Sequence, residues 1–534
     1  MRAVDASALA IVNARVWTGD PARPWADAVV VRGDRIAAVG SSAEIRKHVR
    51  RGEEVIDAAG GMVVPGFIDA HVHFLAGGRG LTSIQLRDAE TPAEFVRRVA
   101  LWAATVPPGT WVTGGAWDHE RWGGELPDRA WIDAATPNTP VWIHRLDCHM
   151  SLANSAALRA AGLTQETPEI DGGTIVRDGA GRLTGILKDN AQSLVDRVVP
   201  PPGDAALDRA MTLAMREVAS NGVTAVHHMG TWEDLETFDR FHAAGRLRTR
   251  VHAAVPISTW ARLRDTVAER GVGDEWLRIG SLKGFVDGSL GSHTAAMLEP
   301  YRDAPSDSGL LMHPEGQLEE WIAGADRAGL QVVMHAIGDR ANRLQLDLFE
   351  RVARENGPRD RRFRIEHAQH LTGVDIPRFS TVGVIASAQP FHAIDDARWA
   401  ERLIGPSRAR FAYAFRSLLD ARARLAFGSD WPVAPPTPIE GIFAAVTRRP
   451  PDGSWPDGWV PEQRITVWEA LTAYTFGAAH ACFREADLGT LERGKRADLV
   501  MLDRDLTTIP TETLRDARVR LTVVGGEIVY RDAC

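Results

Sequence analysis

The stretch 66-GFIDAHVHF-74 is apolar apart from one Asp and two His set two residues apart. Its continuous apolar character reads as a parallel strand covered on both faces. Seven more short apolar runs follow: 223-VTAVHHM-229, 249-TRVHAAV-255, 280-GSLKGFV-286, 331-QVVMH-335, 363-FRIEH-367, 383-GVIASAQ-389 and 424-RLAFGSD-430. Helical patterns lie between them. In 204-DAALDRAMTLAMREVASNG-222, Leu207, Met211 and Ala214 fall on one face, and Asn-Gly supplies the stop. Eight βα units predict an α/β fold of (β/α)8 TIM-type barrel form; a doubly wound open sheet is the alternative.

The gap from His73 to Val223 is too long for one βα connection. Residues 75–203 therefore read as an insertion after the first barrel strand, a lid or wall over the mouth. Both chain ends are rich in short Val/Ile strands, as in DAVVVRGDRIAAVG and VRLTVVGGEIVYRD. The reading is one small β-sandwich domain from residues 1–65 and 484–534, with the barrel of residues 66–483 between.

Composition narrows the class. The 534 residues are 44% hydrophobic and 25% charged, with a formal net charge of -8. No basic block points to nucleic acid, and no apolar run approaches the roughly 20 residues of a membrane span. Three dispersed cysteines, Cys148, Cys482 and Cys534, make no disulfide framework. The N-terminal apolar run is too short for a secretory segment. A cytoplasmic protein is expected, with a homodimer left open.

The unusual residues sit at the C-terminal ends of the runs, where barrel active sites form. Run one ends in His71 and His73, run four holds Lys283 with Asp287 after it, run five ends in His335, run six in His367 and run eight in Asp430. Residues i and i+2 of a strand share a face, so His71 and His73 can approach one ion. Lys283 is one of only four lysines among 62 Lys and Arg. In an apolar run its ammonium is costly. It reads as a desolvated amine able to form a carbamate that bridges cations, as a Schiff-base lysine, or as a structural lysine paired with Asp287. Alternation places Glu366 away from the barrel centre and Asp69 beneath the histidines. Asp339 reads as a helix N-cap. Of the adjacent His227 and His228, only one can face inward.

The ordered motifs PGFIDAHVHF, DCHMSLANSAAL, GRLTGILKDNA, KGFVDGSLGSHTA, MHAIGDRAN, RIEHAQ and FGSDWPV resemble the metal-dependent amidohydrolase superfamily, over almost the whole chain. The closer likeness is to its amidohydrolase 3 (YtcJ-like) branch, which includes N-substituted formamide deformylase-like proteins. The resemblance implies a divalent cation, with Zn²⁺ the expected ion, in one or two sites. The implied ligands are His71, His73, Lys283 (carbamylated), His335, His367 and Asp430. It implies hydrolysis of a C–N amide-type bond by a metal-bound hydroxide, with Asp430 the proton shuttle and His335 or His367 steadying the oxyanion. Deamination or ester hydrolysis on the same site, and a non-catalytic binding protein on this fold, are the alternatives. His149, His228, Trp117 and Arg145 are the expected substrate contacts, Arg145 for an anionic group; Asn190 and His392 also fall near the mouth. Cys148 stands where the branch usually has Gly, which narrows the site.

Overall fold

The computed structural model describes residues 8–50, 53–107 and 109–532. Cys534 lies outside that range, as do residues 1–7 of the N-terminal stretch. Eight parallel strands follow the order of the sequence: β1 (Phe67–Val72), β2 (Val223–Met229), β3 (Arg250–Pro256), β4 (Leu277–Phe285), β5 (Gln331–Ala336), β6 (Arg364–His367), β7 (Ile385–Ala388) and β8 (Arg424–Phe427). Every residue of β1, β2, β5, β6 and β7 is buried, which is why these strands read as unbroken apolar runs. The sheet closes where β8 runs on past its last ladder residue. Val72 and Trp431 form a parallel bridge, Asp430 N donates to His71 O at 2.7 Å, and His73 N donates to Trp431 O at 2.8 Å. Closure of the barrel and assembly of the polar cluster are thus the same backbone event.

Helix α1 (Asp204–Ser220) covers β1 and β2 with Ala210, Met211, Ala214, Met215 and Val218, and stops at Asn221 and Gly222, whose φ is 81°. Helix α2 (Asp339–Asn356) follows β5. Its N-cap is Gly338, not Asp339, whose carboxylate instead accepts from Leu298 N at 2.8 Å. The expected cap is corrected: Asp339 sits one residue too far in, and ties down the loop after β4.

Between β1 and α1 the chain builds a second, six-stranded sheet. Its order is 173–177, 183–189, 150–153, 141–145, 112–117 and 84–85, and it has apolar cores of its own. The two chain ends share another core. Leu9, Ile11, Val29, Val31 and Val63 pack with Leu499, Leu521 and Val523 across two sheets. Arg250 on β3 reaches that terminal unit through a buried bidentate pair with Asp498 (2.7 and 2.9 Å). Asp498→Ala leaves the guanidinium buried without a counter-charge. A loss of about 3–5 kcal/mol is expected, read as the shift in urea-unfolding midpoint. Among the described residues no helix is long and apolar enough to cross a membrane.

Candidate active site

Five of the six polar residues expected to converge, His73, Lys283, His335, His367 and Asp430, line one cavity of about 230 Å³ at the C-terminal end of the barrel, and the fully buried His71 stands behind them. Ligand atoms of His71, His367 and Asp430 lie within 4.8 Å of one another. Asp430 Oδ1 is 3.4 Å from His71 Nε2 and 3.2 Å from His73 Nε2, and Lys283 Nζ is 3.3 Å from His71 Nε2. Ligands held at about 2.1 Å from a tetrahedral ion stand roughly 3.4 Å apart, so the spacings of Asp430 Oδ1 from the two histidines fit a shared cation. The ring of His335 lies 4.5 Å from that of His367. Two buried atoms of the cluster, Asp430 Oδ1 and His367 Nδ1, have no hydrogen-bond partner. Native proteins rarely leave such atoms unsatisfied, and a cation would satisfy both.

The tautomers suit metal binding. His71 Nδ1 lies 2.5 Å from Glu366 Oε2, so its proton sits there and its Nε2 lone pair faces the cluster. His335 Nε2 lies 3.0 Å from Gly288 O, which leaves Nδ1 free. Burial, together with neighbouring cationic groups, holds His71, His335 and His367 well below the usual imidazole range, so they are neutral donors. Burial also pulls Lys283 down to about 8, with Glu366 and Asp430 opposing the shift. Its Nζ lies over the Phe285 ring at 4.8 Å, and Asp287 is engaged elsewhere, accepting from Ile337 N, Gly338 N and Ala296 N. The structural pairing of Lys283 with Asp287 is therefore set aside.

Glu366 corrects the sequence reading, because it points into the barrel. Strand alternation gives Arg364 and Glu366 the same inward face. His367 reaches the cavity as well because its backbone is left-handed (φ 70°), as is that of Ala368 (φ 43°). The parity rule fails where the backbone leaves the β region. Beneath Glu366, the fully buried Arg364 donates to Glu366 Oε1 (2.9 Å), Ala70 O (2.6 Å) and Ser387 Oγ (3.0 Å), and meets His227 Nδ1 at 2.8 Å. Asp69 supports the cluster from below as expected. Its carboxylate accepts from Ser429 N (2.8 Å) and Ser429 Oγ (2.5 Å), and burial lifts its pKa to about 7.

Gly428 makes the β1–β8 contact possible. A Cβ there would lie 2.5 Å from His71 N and 2.8 Å from Asp69 Oδ1. Gly428→Ala is expected to cost about 1–3 kcal/mol and to loosen the His71–Asp430 contact. A thermal melt with metal analysis of the purified variant checks both.

The expected substrate contacts divide. His149 lines the cavity, its ring 4.9 Å from His335 and its Nδ1 2.6 Å from Asp189 Oδ1. Burial lowers its proton affinity, but the hydrogen bond and charge of Asp189 and the charge of Asp147 outweigh it and raise the pKa. His392 also lines the cavity. Cys148 stands at the mouth with φ 61°, which explains why a glycine would suit the position.

Three expectations are corrected. Trp117 is fully buried in the core of the inserted sheet, its indole N–H donating to Ile143 O. His228 faces away from the barrel axis; its Nδ1 accepts from Phe74 N and its Nε2 meets Asp234, while His227 takes the inward position. Asn190 fastens a loop through Asp171 O and Met312 O. Arg145 does line the cavity, but Asp147 (2.5 Å) and Asp118 (3.6 Å) already neutralise it. Sequence reasoning missed Asp189, which ends a strand of the insertion, and the acidic residues Asp118, Asp147, Asp395 and Asp396 on the cavity wall. Only Asp189 carried a signal, as the polar end of the apolar run GILKD.

Comparison with known proteins gives a consistent picture. The profile of the amidohydrolase family matches residues 54–530. The protein LONG AFTER FAR-RED 3 of Arabidopsis thaliana is 41% identical over 98% of this chain and 91% of its own length. The N-substituted formamide deformylase of Arthrobacter pascens is 32% identical over 98% of both. An uncharacterized metal-dependent hydrolase from Pyrococcus furiosus, solved by crystallography, superposes with a TM-score of 0.72 at 30% identity, covering 93% of this chain and 99% of that one.

Proposed function

Because this chain belongs to the amidohydrolase family, we propose that it hydrolyses a C–N amide-type bond of a small molecule, with His71, His73, Lys283, His335, His367 and Asp430 holding one or two divalent cations. The observation that carries this reading is the convergence of ligand atoms of His71, His367 and Asp430 within 4.8 Å of one another, in a cluster where buried polar atoms of Asp430 and His367 have no hydrogen-bond partner. A divalent ion such as Zn²⁺, held by these residues, would lower the pKa of a coordinated water to about 7 and polarise a carbonyl. Asp430 takes the proton of the attacking water and delivers it to the leaving nitrogen. Its position at the junction of β8 with β1 keeps its Oδ1 beside both His71 and His73. His367 faces the same cavity and would steady the developing oxyanion with its N–H where the ion leaves it free, whereas His335, whose proton is given to Gly288 O, offers only a lone pair.

Lys283 suits carbamate formation: its amine is buried, its pKa is drawn toward neutrality and no carboxylate is bonded to it among the described residues. The amide bond is chosen over an ester or amidine because the 32% identical relative is an N-substituted formamide deformylase. The test is hydrolysis of N-formyl and N-acetyl amines, with the amine product measured, before and after dialysis against a chelator. Activity should vanish with the metal and return with Zn²⁺. Full activity in metal-free protein defeats the proposal, and release of ammonia or alcohol alone redirects it to deamination or ester hydrolysis.

A further inference from the structure

Away from the candidate ligands, the cavity wall carries acids and bases that can be matched one against another. Arg145 pairs with Asp147 and Asp118, at 2.5 and 3.6 Å. Arg398 pairs with Asp395 and Asp118, at 2.7 and 3.3 Å, and Arg87 also meets Asp395 at 3.4 Å. His149 answers Asp189 at 2.6 Å. One carboxylate is left over. Among the described residues Asp396 has no cation within ion-pair distance, yet it lines the cavity.

Asp396 is held in place. Its Oδ2 accepts from Tyr413 Oη at 2.6 Å and from Gln369 Nε2 at 2.8 Å. Tyr413 is fixed in turn, its N–H donating to Gln369 O and its own carbonyl accepting from the fully buried guanidinium of Arg448. The other oxygen, Oδ1, accepts no hydrogen bond from the described residues. Burial and the neighbouring Asp395 raise the Asp396 pKa to about 7 against the opposing Tyr413 hydrogen bond and the more distant charges of Arg145 and Arg398.

The helix Pro390–Asp396 sets the distance from the chemistry. His392 stacks against His367 at 6.2 Å between centroids. Asp396 comes one turn later, about 6 Å along the axis. Asp396 and His367 therefore line one cavity, with Asp396 a helical turn past the residue that stacks on His367.

We infer that Asp396 is a specificity-determining residue which binds an ammonium group at the far end of the substrate, so that the substrate class is a mono-N-acylated diamine or a similar amide with a distal cation. This inference rests on the hydrolase reading of the same cavity. It also replaces the anionic partner expected for Arg145, because that guanidinium is already spent on Asp147 and Asp118.

The test reads binding, so it is separate from turnover. Full-length protein is titrated by calorimetry with N-acetyl-1,5-diaminopentane and with its uncharged counterpart N-acetylhexylamine. A charge-assisted hydrogen bond in a partly desolvated site favours the cationic probe by about ten- to a hundredfold. That preference should fall to below about threefold in Asp396→Asn and weaken partially in Tyr413→Phe, with circular dichroism confirming that both variants are folded. Equal affinity of the wild-type protein for the two probes overturns the inference, as does binding of neither. A preference that survives in folded Asp396→Asn also overturns it. If Asp396→Asn does not fold, the wild-type comparison and Tyr413→Phe decide. Cationic preference without cleavage of the probe counts against the hydrolase reading alone.

Discussion

Asp430→Asn should lower kcat by about 10²–10⁴-fold while leaving KM within a few-fold of wild type. General acid–base catalysis by a positioned side chain contributes about that much. Asn is isosteric, and Asp430 N, which closes the barrel by donating to His71 O, is unaffected. What is lost is the Oδ1 charge, now 3.4 Å from His71 Nε2 and 3.2 Å from His73 Nε2. Five of the six expected ligands remain, so the variant should purify with metal. Steady-state kinetics and elemental analysis on one preparation separate loss of the proton acceptor from loss of the ion. Wild-type kcat in the variant removes Asp430 from the mechanism.

The second large effect lies underneath the site. Glu366→Ala takes the acceptor from His71 Nδ1 and the counter-charge from Arg364, both fully buried. Removing the carboxylate that orients a metal-binding His costs about 10–100-fold in metal affinity. Stranding a buried guanidinium costs about 3–5 kcal/mol of stability. The two losses can be separated. In Arg364→Leu/Glu366→Leu no charge is left unpaired, so much of the stability should return, whereas the metal affinity should not. Competitive chelator titration measures the first quantity and urea unfolding the second. If the double variant bound metal like wild type, Glu366 would have no part in holding His71.

The barrel was legible because its strands are largely buried on both faces, which leaves short apolar runs whose C-terminal ends carry histidine, lysine and aspartate. His71, His335 and Asp430 stood out against that background, and Lys283 stood out because the chain otherwise writes its cations as Arg. The resemblance to the amidohydrolases was carried by those same residues. What failed to read from sequence has specific physical causes. The inward turn of Glu366 was obscured because His367 enters the same cavity through a left-handed backbone, and alternation counted from His367 gives the wrong face. The bond between His71 and Glu366 joins residues 295 positions apart, and nothing local announces it. His228 was misplaced because two adjacent histidines on β2 each find a buried partner, one inside the barrel and one beneath the helices. Trp117 belongs to an inserted sheet whose cores are separate from that of the barrel. Asp396 lies at the end of a helix, away from the strand ends where the polar residues of a barrel site gather.

The central claim is that His71, His73, Lys283, His335, His367 and Asp430 enclose a catalytic divalent ion. Crystallographic anomalous scattering measured on either side of the zinc absorption edge, on protein purified with added Zn²⁺, tests it most directly. One or two anomalous peaks should appear at about 2.0–2.2 Å from His71 Nε2 and Asp430 Oδ1. Extra density should continue from Lys283 Nζ if the carbamate forms. A map with no peak among these six residues, from crystals of active protein, would contradict the account.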